Sequence, residues 1–214
     1  IALAERTIAP AADAVLARAN ALALKVIWAL ETHAHADHLS AANHIRKLTG
    51  ARIGIGSRIT EVQTQFRAMF GAPEAETEGA VFDRLFADGD TFRIGEVEAR
   101  VMHTPGHTPA CVTYVIEDAA FVGDTLFMPD YGTARADFPG GNAHDLYRSI
   151  ARILSLPPQT RLFMCHDYKA PGRDHFAWET TVAEERAHNI QVGRGVKEEE
   201  FVAKRNARDA TLSA

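Results

Sequence analysis

Short apolar runs alternate with amphipathic stretches along this chain, and four of the runs end in loops that carry histidine or aspartate. Lys25 to Leu30 reads as a buried strand and leads into Thr32-His33-Ala34-His35-Ala36-Asp37-His38. Val97 to Val101 alternates as a half-buried strand does and leads into His103-Thr104-Pro105-Gly106-His107. Cys111 to Ile116 and Ala119 to Val122 form a predicted hairpin that delivers Gly123-Asp124-Thr125, and Arg161 to Met164 ends at Cys165-His166-Asp167-Tyr168. Two further strands are predicted over Ala51 to Gly56 and Thr91 to Ile94. Helices are expected over residues 8–24, with Pro10 in the first turn, over Leu39 to Leu48, stopped by Gly50, and over Ile59 to Phe70. Three more cover Asp145 to Leu156, halted by Pro157-Pro158, Trp178 to Asn189 and Glu198 to Ala210. Such a succession predicts one α/β domain over residues 1–214, with loops at one rim of a sheet converging on a single cleft.

Composition removes several function classes. The 214 residues are 46% hydrophobic and 24% charged, an ordinary globular balance that excludes disorder and low complexity. Apolar runs such as Val26 to Leu30 fall far short of the roughly 18 to 20 residues of a membrane span, so a soluble protein is expected. A net charge of −5 argues against binding a phosphate backbone. Cys111 and Cys165 cannot build a disulfide framework; both are expected to be buried packing residues in a reducing, cytoplasmic setting.

The ten histidines are the compositional oddity. A metal needs imidazole and carboxylate lone pairs aimed at one point, and the i, i+2 spacing of His33 and His35 turns two side chains the same way in extended backbone. His33, His35, Asp37, His38, His107, Asp124 and His166 are the candidate ligands, enough for two zinc ions that share Asp124 and activate a water for hydrolysis. His103 reads equally well as a packing residue, and His44, His144, His175 and His188 as surface residues.

At these positions the chain resembles the metallo-β-lactamase fold superfamily, whose His-x-His-x-Asp-His signature stands here as His33 to His38, with later superfamily positions at His107, Asp124 and His166. The resemblance implies a four-layer αββα sandwich with a metal site along one edge. It narrows at Thr32 to Ser40, His103 to Val115, Phe121 to Thr125, Met128 to Phe138 and Met164 to Lys169, which look like the persulfide dioxygenase branch, of the bacterial β-lactamase-like-hydrolase type. That branch implies one Fe(II) per chain on His33, His107 and Asp124, with His35, Asp37, His38 and His166 orienting ligands and bound water. It also implies oxidation of glutathione persulfide by O2 to sulfite and glutathione, with Arg135 and Tyr168 meeting the substrate. The alternative is a dinuclear Zn(II) hydrolase of glyoxalase II type acting on a glutathione thioester. By resemblance a homodimer and a separate sulfurtransferase partner are expected. So are family strands ahead of the first helix that residues 1–214 do not contain.

Overall fold

A computed structural model describes residues 9–34, 40–71 and 78–212. The elements run α1 (Pro10–Ala21), β1 (Trp28–Leu30), α2 (Ala42–Thr49), β2 (Arg52–Gly56), α3 (Ile59–Phe70), β3 (Arg84–Phe86), β4 (Thr91–Ile94) and β5 (Val97–His103). They continue as β6 (Val112–Ile116), β7 (Ala119–Phe121), α4 (Ala143–Ile153), β8 (Arg161–Phe163), β9 (Glu179–Thr181), α5 (Val182–His188) and α6 (Glu198–Asp209). Strands β1, β2 and β3 form a parallel sheet in that order. The second sheet has the order β4-β5-β6-β7-β8-β9 and is antiparallel except where β7 pairs in parallel with β8.

The expected αββα layering follows from which faces are apolar. Phe86, Phe92, Val101, Val112 and Tyr114, with Trp28 and Leu30 against them, fill the space between the two sheets. On the outer side of the three-stranded sheet, Ile53 packs with Ala42 and Ile45 of α2, and Ile55 with Ile59 and Val62 of α3. The far face of the six-stranded sheet buries Ala120 and Leu162 against Leu146, Ile150 and Ile153 of α4, Val182 of α5 and Phe201 of α6. Each such large apolar side chain contributes about 1.5–3 kcal/mol on burial.

Helix ends follow local chemistry. Gly50 and Gly71 close α2 and α3 in the left-handed conformation. Helix α4 begins two residues before the expected Asp145, because the Asn142 side chain accepts from the amides of His144 and Asp145 and caps it there. Two expectations are corrected. The stretch from Trp178 to Asn189 is not one helix: Glu179–Thr181 pairs with β8 as an edge strand, and Thr181 then caps α5 through its hydroxyl. Strand β3 lies outside every segment that reads as a strand; its parallel pairing with β2 makes it one. Among the described residues no helix is long and apolar enough to cross a membrane.

Candidate metal centre

Parallel pairing of β7 with β8 sends the chain out of the sheet at the same rim, which brings Asp124 beside His166. His33 leaves β1 at that rim, and His107 lies on the loop joining β5 to β6. Two glycines make the approach possible. Gly106 has φ +138°, and a Cβ there would stand 2.3 Å from the Leu146 backbone, so the loop rests directly on α4. Gly123 has φ +54°, and a Cβ would collide with Thr32, the neighbour of His33. The short 3₁₀ turn Gly123–Thr125 then presents Asp124.

Three of the expected ligands form one buried group. His33 Nε2 lies 3.6 Å and His107 Nε2 3.8 Å from Asp124 Oδ2. All three residues are buried, and one ligand atom of each lies within 4.8 Å of the others. Bonds of about 2.0–2.2 Å to a shared ion put neighbouring donors roughly 3 to 3.5 Å apart, so the spacing suits a single cation. His107 Nδ1 donates to the Arg135 carbonyl at 2.9 Å. A carbonyl can only accept, so that bond places the proton on Nδ1 and leaves Nε2 as the lone-pair donor. The two imidazole rings meet edge to face at 5.3 Å. Two imidazoles and one carboxylate fit ferrous iron or zinc.

His166 Nε2 approaches the same Asp124 oxygen at 3.5 Å, but its side chain is more exposed than those of His33 and His107. Asp124, Cys165 and His166 make a second group with metal-ligating geometry. His35, Asp37 and His38 lie outside the described residues. His103 is a packing residue: its Nε2 pairs with the Pro109 carbonyl at 2.8 Å and its amide donates to Asp88. His144, His175 and His188 are exposed, as expected, whereas His44 is half-buried and pairs with Asp13.

Of the two cysteines, Cys111 is buried and bonded to Thr108, and burial pushes its thiol up to about 12. The expectation that Cys165 is buried is corrected. The residue follows the last buried position of its strand end, Met164, and is exposed, although its thiol lies among Thr32 and Asp124. The surrounding protein, and secondarily the Asp124 charge, raise that thiol to about 11.

A cavity of about 250 Å³ opens onto His107 and Asp124. Its walls include both expected substrate residues. Tyr168 stacks on Tyr131 at 5.0 Å and meets Phe127 edge-on at 5.6 Å. The Arg135 guanidinium lies over Phe138 and holds Asp137 through two 2.7 Å bonds, which keep the Asp137 carboxyl below its usual range. Several contributors carried no sequence signal. Arg208 lines the cavity from α6 and stacks on Tyr131. Arg173 joins Asp167, at 2.5 and 2.6 Å, to Asp130, at 2.7 and 3.2 Å, and so ties the His166–Tyr168 loop to the wall that carries Tyr131. The paired guanidinium holds the Asp167 carboxyl far below the usual carboxylate range. Arg173 and Asp130 are 43 residues apart, and no spacing rule connects them.

An αββα sandwich with histidine and aspartate ligands at its strand ends is the scaffold of a metal-dependent enzyme class. The chain belongs to the metallo-β-lactamase superfamily, whose model matches residues 3–166. It is 54% identical to a probable metallo-hydrolase of Burkholderia pseudomallei over 97% of this chain and 74% of that protein. It is 34% identical to the mitochondrial persulfide dioxygenase ETHE1 of Homo sapiens over 85% of this chain and 61% of that protein. The crystal structure of ETHE1 from Myxococcus xanthus superposes with a TM-score of 0.73 at 32% identity, covering 94% of this chain and 77% of that one. Glyoxylase B2 of Dictyostelium discoideum is 44% identical over 98% of this chain and 72% of its own length. The chain spans about half the length (46%) of the β-lactamase hydrolase-like proteins it matches.

Proposed function

We propose that this protein is a non-haem iron persulfide dioxygenase that converts glutathione persulfide, O2 and water into glutathione and sulfite. The observation that carries the reading is the buried His33–His107–Asp124 face beside a cavity walled by aromatic rings and an arginine. Similarity to the human and Myxococcus proteins supports it. Held by His33, His107 and Asp124, ferrous iron would supply redox chemistry toward oxygen.

The chain's own residues do the rest. His33 and His107 present imidazole nitrogens, and the Arg135 carbonyl keeps the His107 proton away from the face. Tyr131, Tyr168 and Phe127 offer an apolar wall for the thiol-bearing portion of a peptide. Arg135 supplies a cation for a substrate carboxylate, which must share the guanidinium with Asp137. His166 lies close enough to Asp124 to hydrogen-bond water or substrate on its exposed side.

A second reading is a dinuclear zinc hydrolase of glyoxalase II type. It draws on the Asp124–Cys165–His166 group, which shares Asp124 with the first, and on the glyoxylase and metallo-hydrolase relatives. One experiment separates the two: oxygen consumption by the anaerobically iron-reconstituted full-length protein on addition of glutathione persulfide, with sulfite measured as product. Uptake matched by sulfite is expected. No uptake by folded, iron-loaded protein, together with two zinc ions per chain and cleavage of a glutathione thioester, would transfer the assignment to the hydrolase.

A further inference from the structure

The pocket segment that carries Arg135 is gripped from behind by a charged pair that no surface or solvent contact explains. On α6, Phe201, Arg205 and Asp209 recur every four residues and are 1%, 2% and 4% exposed, so a helix rich in charge turns two of its charges into the protein. Arg205 Nη2 donates to Asp209 Oδ1 at 2.6 Å. One further arm of each reaches the backbone: Arg205 Nη1 donates to the Thr133 carbonyl at 3.3 Å, and Asp209 Oδ2 accepts from the Ala136 amide at 3.0 Å. Gln191 Oε1 joins the same grip, accepting from Arg205 and from the Thr133 hydroxyl.

These contacts bracket Arg135. Its carbonyl is the acceptor that orients His107, and its side chain lines the cavity. A buried ion pair seldom recovers its desolvation cost by attraction alone, so one that also bonds the backbone on both sides of the Ala134-Arg135 dipeptide is explained by geometry better than by stability. We propose that Arg205 and Asp209 are positioning residues for the metal centre. Through Thr133 and Ala136 they set the place of the Arg135 carbonyl, and through it the direction of His107 Nε2. The proposal rests on the reading of His107 as a metal ligand.

The test uses the full-length protein with Co(II) as the probe, following Co(II) affinity, the visible ligand-field spectrum and, in the Zn(II)-loaded protein, the NMR resonance of the His107 Nδ1 proton. The double variant R205M/D209L removes both charges together and keeps an apolar stripe. Its metal-free melting temperature is compared with that of the wild type to separate folding from positioning. A fall in Co(II) affinity of about 10-fold or more is expected, in the range found when a ligand's orienting partner is lost, with a shifted spectrum and a faster-exchanging His107 proton. Unchanged affinity and spectrum in the folded double variant would overturn the proposal. Should that variant not fold, the decision passes to R205K, which keeps the charge opposite Asp209 but cannot also reach Thr133 and Gln191. A several-fold loss there supports the proposal and wild-type binding overturns it. Wild-type protein that binds Co(II) no better than H107A removes the metal reading itself, and this proposal with it; normal wild-type binding with insensitive variants removes the proposal alone.

Discussion

The rim of strand ends and the helical layer beneath the six-stranded sheet bury polar groups for opposite reasons. At the rim, His33, His107 and Asp124 bring one ligand atom each within 4.8 Å of the others, a spacing that suits a shared cation. In the helical layer, Asn189, Arg205 and Asp209 are equally buried, but each reaches backbone, Asn189 at Gly132, Arg205 at Thr133 and Asp209 at Ala136, while Glu185 accepts from the Asn189 side chain. The first arrangement is built to receive something. The second is built to hold the loop from Gly132 to Ala136 against the first. Burial of polar groups therefore does not by itself mark a site; whether their donor atoms converge on one point or end on backbone does.

The sharpest break of that comparison is at the rim. Asp124→Ala should leave no stoichiometric metal and no oxygen uptake, a loss well beyond the ~10–100-fold typical of groups that only orient a ligand, while the metal-free protein keeps its melting temperature. Metal analysis and calorimetry on the same sample check both halves. Full activity would remove Asp124 from the centre.

Arg173 tests whether a rim loop needs its own clamp. Arg173→Ala leaves the half-buried Asp167 carboxylate without its cation and should cost about 1–3 kcal/mol in denaturant unfolding at neutral pH. The sign of the pH effect is definite. The Asp167 carboxyl is depressed in the folded state, so its stabilisation is present above the ordinary carboxylate range and is lost as pH falls through the lower folded value. A pH 3 to 7 stability series should therefore converge for wild type and variant toward the acid end.

Glu185 tests the helical layer in the opposite direction. Burial raises its carboxyl to about 8, with the Asp130 charge adding to the rise, while the Asn189 amide at 2.6 Å opposes it. The folded protein then holds a proton that the unfolded chain has released, so stability falls as pH rises from the ordinary carboxylate range to about 8, by up to about 1.4 kcal/mol per pH unit. Glu185→Gln should flatten that slope and stabilise the protein at pH 7 to 8, as followed by thermal unfolding across pH. An unchanged slope would mean that the carboxyl is ionised in place.

The smallest effect is local. Asn142→Ala removes the cap of α4 and should cost about 1 kcal/mol, with little change in metal binding, because the Asn142 backbone amide still donates to the Gly106 carbonyl. A large loss of metal would show that the cap side chain also sets the His107 loop.

Legibility in the sequence followed the range of the forces involved. Helix α3 was readable to the residue because its apolar spacing and the glycine at its end are local signals. Histidines and aspartate at strand ends were readable as candidate ligands, since a strand's exit direction is set by its own backbone, and the superfamily resemblance pointed to the same positions. Strands β3 and β9 were not readable: Glu179–Thr181 lacks the apolar run that marks the equally short β1, β7 and β8, Arg84–Phe86 lies outside every segment that reads as a strand, and only pairing with a neighbour makes either one a strand. Cys165 looked like packing from its strand and proved exposed, since where a strand meets the rim depends on the loops above it.

Residues near in the chain, through spacing, capping and strand exits, determined an α/β domain with seven candidate ligands at its strand ends; the αββα class and the choice of His33, His107 and Asp124 among them came from the resemblance. Tertiary structure alone decided which charges turn inward. In α6 nothing but the packing of Phe201 against α4 distinguishes Arg205 and Asp209 from their solvated neighbours, and nothing but the return of the chain brings Arg173 to Asp130. A guanidinium carries the same charge in water or in a core. What it does depends on which backbone atoms the rest of the fold leaves within its reach.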